Sequence, residues 1–239
     1  MRAIAGQVFS VLKQFGSHWW LRHLAVISIA LGGVYLFQES RAEWSEMHRW
    51  NRAVGDMSLV LVSMVMVVGP LARLWSRLNF LLPWRRELGI HAIVLAAVHT
   101  FIILAGWIEW DFMRLVGFEF LQSAGRYVML QHGFALANIV GIVALLYGTV
   151  LAVSSNNRSL KILGGSAWKF VQQGAYVLWV LVLIHTAYFL YLHFLHFHRP
   201  VPEPNWGQGP FAILVLVVFL LQAAAFIKTW RGKKERARA

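Results

Sequence analysis

Two histidines, His99 and His185, stand deep inside long apolar runs, in Ala97-Val98-His99-Thr100 and Leu183-Ile184-His185-Thr186. An ionisable ring in such a place is costly and by default points to function. His99 lies 13 residues beyond Arg86, and His185 lies 17 residues beyond Trp168. If each run is a helix crossing a membrane, a rise of about 1.5 Å per residue puts both rings around or just past the middle. Two imidazoles from neighbouring helices at one depth can hold a heme iron from both faces, as helical bundles hold cofactors in their cores. Such ligation leaves no open iron position and suits electron transfer rather than oxygen chemistry. An interhelical hydrogen bond or a proton relay is the competing reading.

The chain has eight other histidines. His91 precedes His99 by eight residues, which is about 12 Å of rise and about 80° of turn. It is placed to ligate a second heme, bind a propionate or serve a quinone. The matching part of the fifth apolar run offers Gln172 and Gln173 instead of histidine. His18, His23, His48 and His198 lie near predicted helix ends, where a polar ring reaches water at little cost, and His132 also lies near an end. His193 and His196 form an outer cluster with His198.

The runs that carry these residues define the class. Of 239 residues, 59% are hydrophobic and 13% charged, against roughly 45–50% and 25% in soluble proteins. The apolar residues come in blocks, which implies an integral membrane protein. Cysteine is absent, which removes thiol catalysis, iron–sulfur ligation and cysteine zinc sites, and is consistent with heme b, which needs no thiol attachment. The net charge of +12 is read as Lys and Arg held on the cytoplasmic side of the spans, not as a nucleic-acid surface. No glycine-rich loop follows a strand, so no nucleotide-binding fold is expected.

Six runs are long enough to cross. They are Trp19–Phe37, Val54–Leu74, Leu88–Ile108, Tyr127–Ser155, Phe170–Phe197 and Pro210–Ile227. No charged side chain is expected in the interior of the third to fifth. With both termini inside, the inner segments hold 16 Lys and Arg and the outer segments hold 6. The expected fold is therefore an all-α membrane protein, a six-transmembrane-helix bundle with both termini cytoplasmic. One domain, 1–239, is expected, with no cleaved signal peptide, no internal repeat, and only a turn at Gly164–Gly165.

Several of these residues resemble a known family. Pro70-Leu71-Ala72-Arg73, then Arg85-Arg86-Glu87-Leu88-Gly89-Ile90, His99, Arg158, Trp168 and Ile184-His185 are similar in order and spacing to the ferric reductase-like transmembrane domain. The nearest form is the bacterial heme-binding membrane subunit of the periplasmic methionine-sulfoxide reductase system. The resemblance covers about 51–190. It implies heme b held by His99 and His185 in a bacterial cytoplasmic (inner) membrane. Gln172 stands where the family commonly has a further heme-type histidine, so one heme is expected. A second heme through His91 stays open.

The function expected is electron transfer through a bis-histidine heme. Candidate donors are a quinol in the membrane or a separate flavin reductase; the acceptor is a periplasmic redox protein. Arg126 and Arg52 are candidate partners for the heme propionates on the outer side, with Arg85 and Arg86 inside. The alternatives are a cytochrome b subunit of another quinone-linked respiratory complex, and a heme-free proton-coupled transporter or assembly protein using His91, His99 and His185.

Overall fold

The computed structural model describes residues 18–130, 132–193 and 206–236, with only the backbone of His132. His196 and His198 lie outside the described residues. The six expected crossings are present, each long and apolar enough to span a bilayer. Helix α1 is Trp19–Glu39, α2 is Glu46–Leu74, and α3 is Trp84–Ile102. After α3 come a π-helical turn, Ile103–Trp107, a short helix α4, Phe112–Leu115, and an antiparallel hairpin of β1, Phe118–Leu121, and β2, Arg126–Met129. Helix α5 is His132–Ser154, α6 is Asn157–Gln173, and α7 is Ala175–Ala187, followed by a second π-helical turn, Tyr188–Leu192. Helix α8 is Gln208–Arg236. The chain is a multi-pass membrane protein.

Large apolar side chains such as Leu31, Phe101, Val153, Phe170 and Phe219 are exposed on the outside of the bundle. In water this would be a liability; against lipid tails it is the expected surface. The most buried crossing is α2. It packs against α1, α3, α7 and α8, while α5 packs on α3 and α7. The core therefore runs between α2, α3, α5 and α7, with α1 and α8 laid against α2. Polar side chains fasten α8 there. Gln222 Nε2 donates to the carbonyl of Met66 at 2.7 Å, and Lys228 Nζ donates to that of Leu74 at 2.8 Å.

Four crossings differ in their bounds from the sequence reading. Helix α2 starts at Glu46, eight residues before Val54, so Asn51 and Arg52 are helical and not in a loop. Partners for its polar first turns explain this: Arg49 Nε donates to the Gln38 carbonyl at 3.4 Å, and a turn further on Asp56 accepts from Arg41 Nη2 at 2.5 Å. The fourth crossing starts at His132 and not Tyr127, because Arg126–Met129 pairs with Phe118–Leu121. The fifth is broken where glycine permits: Gly164, at φ 75°, interrupts α6, and Gly174 separates α6 from α7. The third crossing also begins earlier than expected, at Trp84, and so includes Glu87 with 1% of its surface exposed. A buried acid thus sits inside a crossing that was expected to have none.

Arg41 is 3% exposed. It lies over Trp206 and Trp44, with its guanidinium carbon 4.8 and 5.6 Å from the ring centres. Removing Asp56 leaves this cation buried and uncompensated, a loss of about 3–5 kcal/mol. Asp56→Ala is expected to lower the thermal unfolding midpoint in detergent, and the Arg41→Met/Asp56→Leu pair to regain most of the loss.

Candidate functional site

His99 and His185 come together in the core. Their ring centres are 6.4 Å apart and their planes are at 88°. Nδ1 of His99 lies 2.9 Å from the carbonyl oxygen of Asn51 on α2. Nδ1 of His185 lies 2.8 Å from that of Ala137 on α5. A carbonyl can only accept, so each Nδ1 carries the proton and each Nε2 keeps its lone pair.

Glycine makes both bonds reachable. In a helix the carbonyl of residue i already accepts from the N–H of residue i+4, so the side chain at i+4 stands over it. Here that residue is Gly55 above Asn51 and Gly141 above Ala137. A Cβ at Gly55 would lie 3.0 Å from His99 Nδ1, and one at Gly141 would lie 2.7 Å from His185 Nδ1.

The two histidines border a cleft lined by α2, α3, α5 and α7. About 1160 Å³ of space among the lining residues is free of atoms, part of it open to the surroundings. Its walls are mainly apolar, with polar groups gathered toward the α1–α2 connection: Asn51, Arg52 and Asp56. Arg52 Nη2 donates to the Phe189 carbonyl at 3.4 Å. Asn51 Oδ1 is buried without a partner.

These features fit a heme. Metal–imidazole bonds are about 2.0–2.1 Å, and with each ring centre about 1.1 Å behind its nitrogen, trans imidazoles have centres about 6.3 Å apart. The observed separation is 6.4 Å. Among the described residues no three His, Asp or Glu side chains gather to hold a bare ion. Two imidazoles complete the coordination of an iron whose other four nitrogens come from a macrocycle.

The remaining candidates go elsewhere. Arg126 is exposed on β2, outside the cleft lining. His91 faces His23, with Nε2 to Nδ1 at 3.0 Å. His48 pairs with Ser45 and stands edge-on to Trp107. His193 packs among Phe134, Tyr188 and Phe189. Gln172 binds Ser155, Ser154 and the Leu151 carbonyl, tying α5 to α6 away from the cleft. Arg86 donates to Asn157 at 3.0 Å, and Arg85 lies beside Gly69.

The site also has a symmetry that the sequence reading did not find. Arg52, Gly55, Leu59, His99 and Thr100 on one side are matched 86 residues later by Asn138, Gly141, Leu145, His185 and Thr186, and all ten line the cleft. Each histidine bonds a carbonyl 48 residues before it. Each is followed by a π-helical turn, a form frequent at functional sites. The paired His-Thr steps, each with a glycine 44 residues earlier, were the available signal.

No family model matches the chain. Among curated proteins it is similar to the protein-methionine-sulfoxide reductase heme-binding subunit MsrQ of Herminiimonas arsenicoxydans, 30% identical over 135 residues and 56% of each chain. It is likewise similar to MsrQ of Polaromonas naphthalenivorans, 29% identical over 181 residues, 71% of this chain and 75% of that one. MsrQ of Ralstonia nicotianae is 28% identical over 135 residues, again 56% of each. Over part of its length the chain is thus similar to MsrQ subunits. In the first and third of these matches it spans little more than half the relative's length.

Gly141→Ala is expected to push His185 off the Ala137 carbonyl and lower the heme retained through purification. Gly55→Ala, with slightly more room, is expected to lower it less. Heme content per protein checks both.

Proposed function

We propose that the chain is a heme b-binding electron-transfer subunit of a bacterial cytoplasmic membrane. In this reading it takes electrons from a membrane quinol or a flavin reductase and delivers them to a periplasmic redox protein. The observation that carries it is the pair of imidazoles, 6.4 Å between centres, each with Nδ1–H committed to a backbone carbonyl. The MsrQ relatives, named as heme-binding subunits, support it.

His99 and His185 would hold the heme iron through Nε2. The heme, when bound, would supply a one-electron iron couple, and a site held by two histidines favours electron transfer. The carbonyls of Asn51 and Ala137 fix each ring's tautomer and direction and raise its basicity. Arg52 is the residue placed to pair with a propionate, and the Asn51 amide is placed beside it. Arg126, exposed on the hairpin, is proposed for no propionate. The apolar walls keep water from the iron, which holds the couple to electron exchange.

The excess of Lys and Arg in the segments before α1, between α2 and α3, between α5 and α7 and after α8 supports a cytoplasmic location for the end where α1 begins and α8 ends. The end with Arg52 and the β1–β2 hairpin then faces the periplasm, where the acceptor docks.

Purified wild-type protein is expected to show low-spin heme b bands after dithionite reduction, at about one heme per chain. His99→Ala and His185→Ala should each abolish the low-spin spectrum. A colourless protein, even after reconstitution with heme, would overturn the reading.

A further inference from the structure

At the end of the bundle where α1 begins and α8 ends, α1 and α3 share a second polar cluster. His23 Nδ1 and His91 Nε2 are 3.0 Å apart, with ring centres at 5.2 Å and planes at 80°. One ring donates to the bare nitrogen of the other. The outward nitrogens, Nε2 of His23 and Nδ1 of His91, have no hydrogen-bond partner among the described residues and are not sealed in the protein. One turn before His91 lies Glu87, 1% exposed. Its Oε1 pairs with Arg22 at 2.8 Å, and its Oε2 is buried with no partner. The indole N–H of Trp84 is buried without an acceptor as well.

The chemistry of the pair limits what can bind. If His91 holds the shared proton, its Nδ1 is an outward acceptor and His23 Nε2–H an outward donor. If His23 holds it, the two roles exchange. Either tautomer shows one acceptor and one donor side by side. A metal ion would need two lone pairs, and an anion would need two donors. A ring carrying hydroxyl or carbonyl oxygens matches both groups. His91 is seven residues into α3 and His23 four residues into α1, about 10 and about 6 Å of rise, so the cluster lies in the first turns of two crossings. The neighbouring Trp19, Trp20 and Leu24 face outward to lipid. This apolar surround favours a lipid-soluble ligand that reaches the pair from the bilayer.

We propose that the His23–His91 pair, backed by Glu87, binds a lipid-soluble quinol and takes its protons. The hydroxyl donates to the free imidazole nitrogen, and the neighbouring N–H holds the oxygen in place. Oxidation of one quinol to quinone releases two electrons and two protons. The electrons leave singly to a one-electron acceptor, which in the function proposed above is ferric iron; the inference rests on that reading for its acceptor. The protons leave in turn through the imidazole pair toward the free oxygen of Glu87, beside Arg22. No other charged group among the described residues of α1 or α3 joins this cluster.

The test uses the full chain, heme-loaded, in lipid nanodiscs, with decylubiquinol as donor. Decylubiquinone binding is read separately by tryptophan fluorescence. His91→Leu is expected to slow quinol-driven heme reduction by about a hundredfold, the scale of a lost proton acceptor, and to weaken quinone binding. Glu87→Gln is expected to slow reduction with binding retained. Heme content and the dithionite-reduced spectrum should not change in either variant. Wild-type reduction rates and wild-type binding in His91→Leu would overturn the proposal. So would a heme content that falls from two to one, which would make His91 an iron ligand. If the wild type holds no heme, the electron-transfer reading fails while the binding measurement still decides the cluster: quinone binding lost in His91→Leu upholds it, and no binding in the wild type overturns it.

Discussion

Everything in the core depends on a hydrogen bond from each histidine Nδ1–H to a helix carbonyl on the neighbouring crossing. Inside a bilayer such a carbonyl is already satisfied by its own helix, so the imidazole uses the second lone pair. That second bond does three things at once. It satisfies a polar ring in a place where an unmet N–H would be costly. It selects the tautomer that leaves Nε2 bare. It sets the rotation of each ring, so the two nitrogens that matter are aimed by backbone and not by flexible side chains.

The packing follows from the same bond. Reaching a helix carbonyl from the side requires that nothing stand over it, which is why Gly55 and Gly141 occupy the positions four residues on. Close approach there draws α3 against α2 and α7 against α5. The result is two similar helix pairs facing each other, each giving one histidine to the shared cleft. The arrangement is asymmetric only in its polar groups. Arg52 and Asp56 on one side correspond to Asn138 and Ile142 on the other, and Asn138 is used to hold the Leu115 carbonyl beneath the hairpin. With Asp56 paired to Arg41, Arg52 is left as the cation at that edge of the cleft, where an acidic group of a ligand is best received.

Much of this was legible from residue types. Six apolar runs give six crossings, and an ionisable ring in the middle of a run is conspicuous because nothing cheap explains it. His99 and His185 were found this way. What could not be read was backbone chemistry. The carbonyls of Asn51 and Ala137 have no sequence signature, and glycines in membrane helices are too common to single out alone. Arg52 was read as a loop residue because hydropathy fades two turns before the helix does. Its helical position depends on partners such as the Arg41–Asp56 ion pair, which joins residues 15 apart. The His23–His91 contact joins residues 68 apart on helices that are not consecutive, and rings near span ends look solvated until the packing is known.

The central claim is that His99 and His185 grip one iron between rings set at right angles. Electron paramagnetic resonance of the oxidised, heme-loaded protein tests it most directly, because the anisotropy of a low-spin ferric signal reports the angle between its two axial imidazoles. The account predicts a single, highly anisotropic low-spin species dominated by one large-g feature, as near-perpendicular planes require. A high-spin signal would mean that one histidine is not a ligand. An ordinary rhombic low-spin signal would mean that the rings are not held where the Asn51 and Ala137 carbonyls place them. Either result would contradict the account.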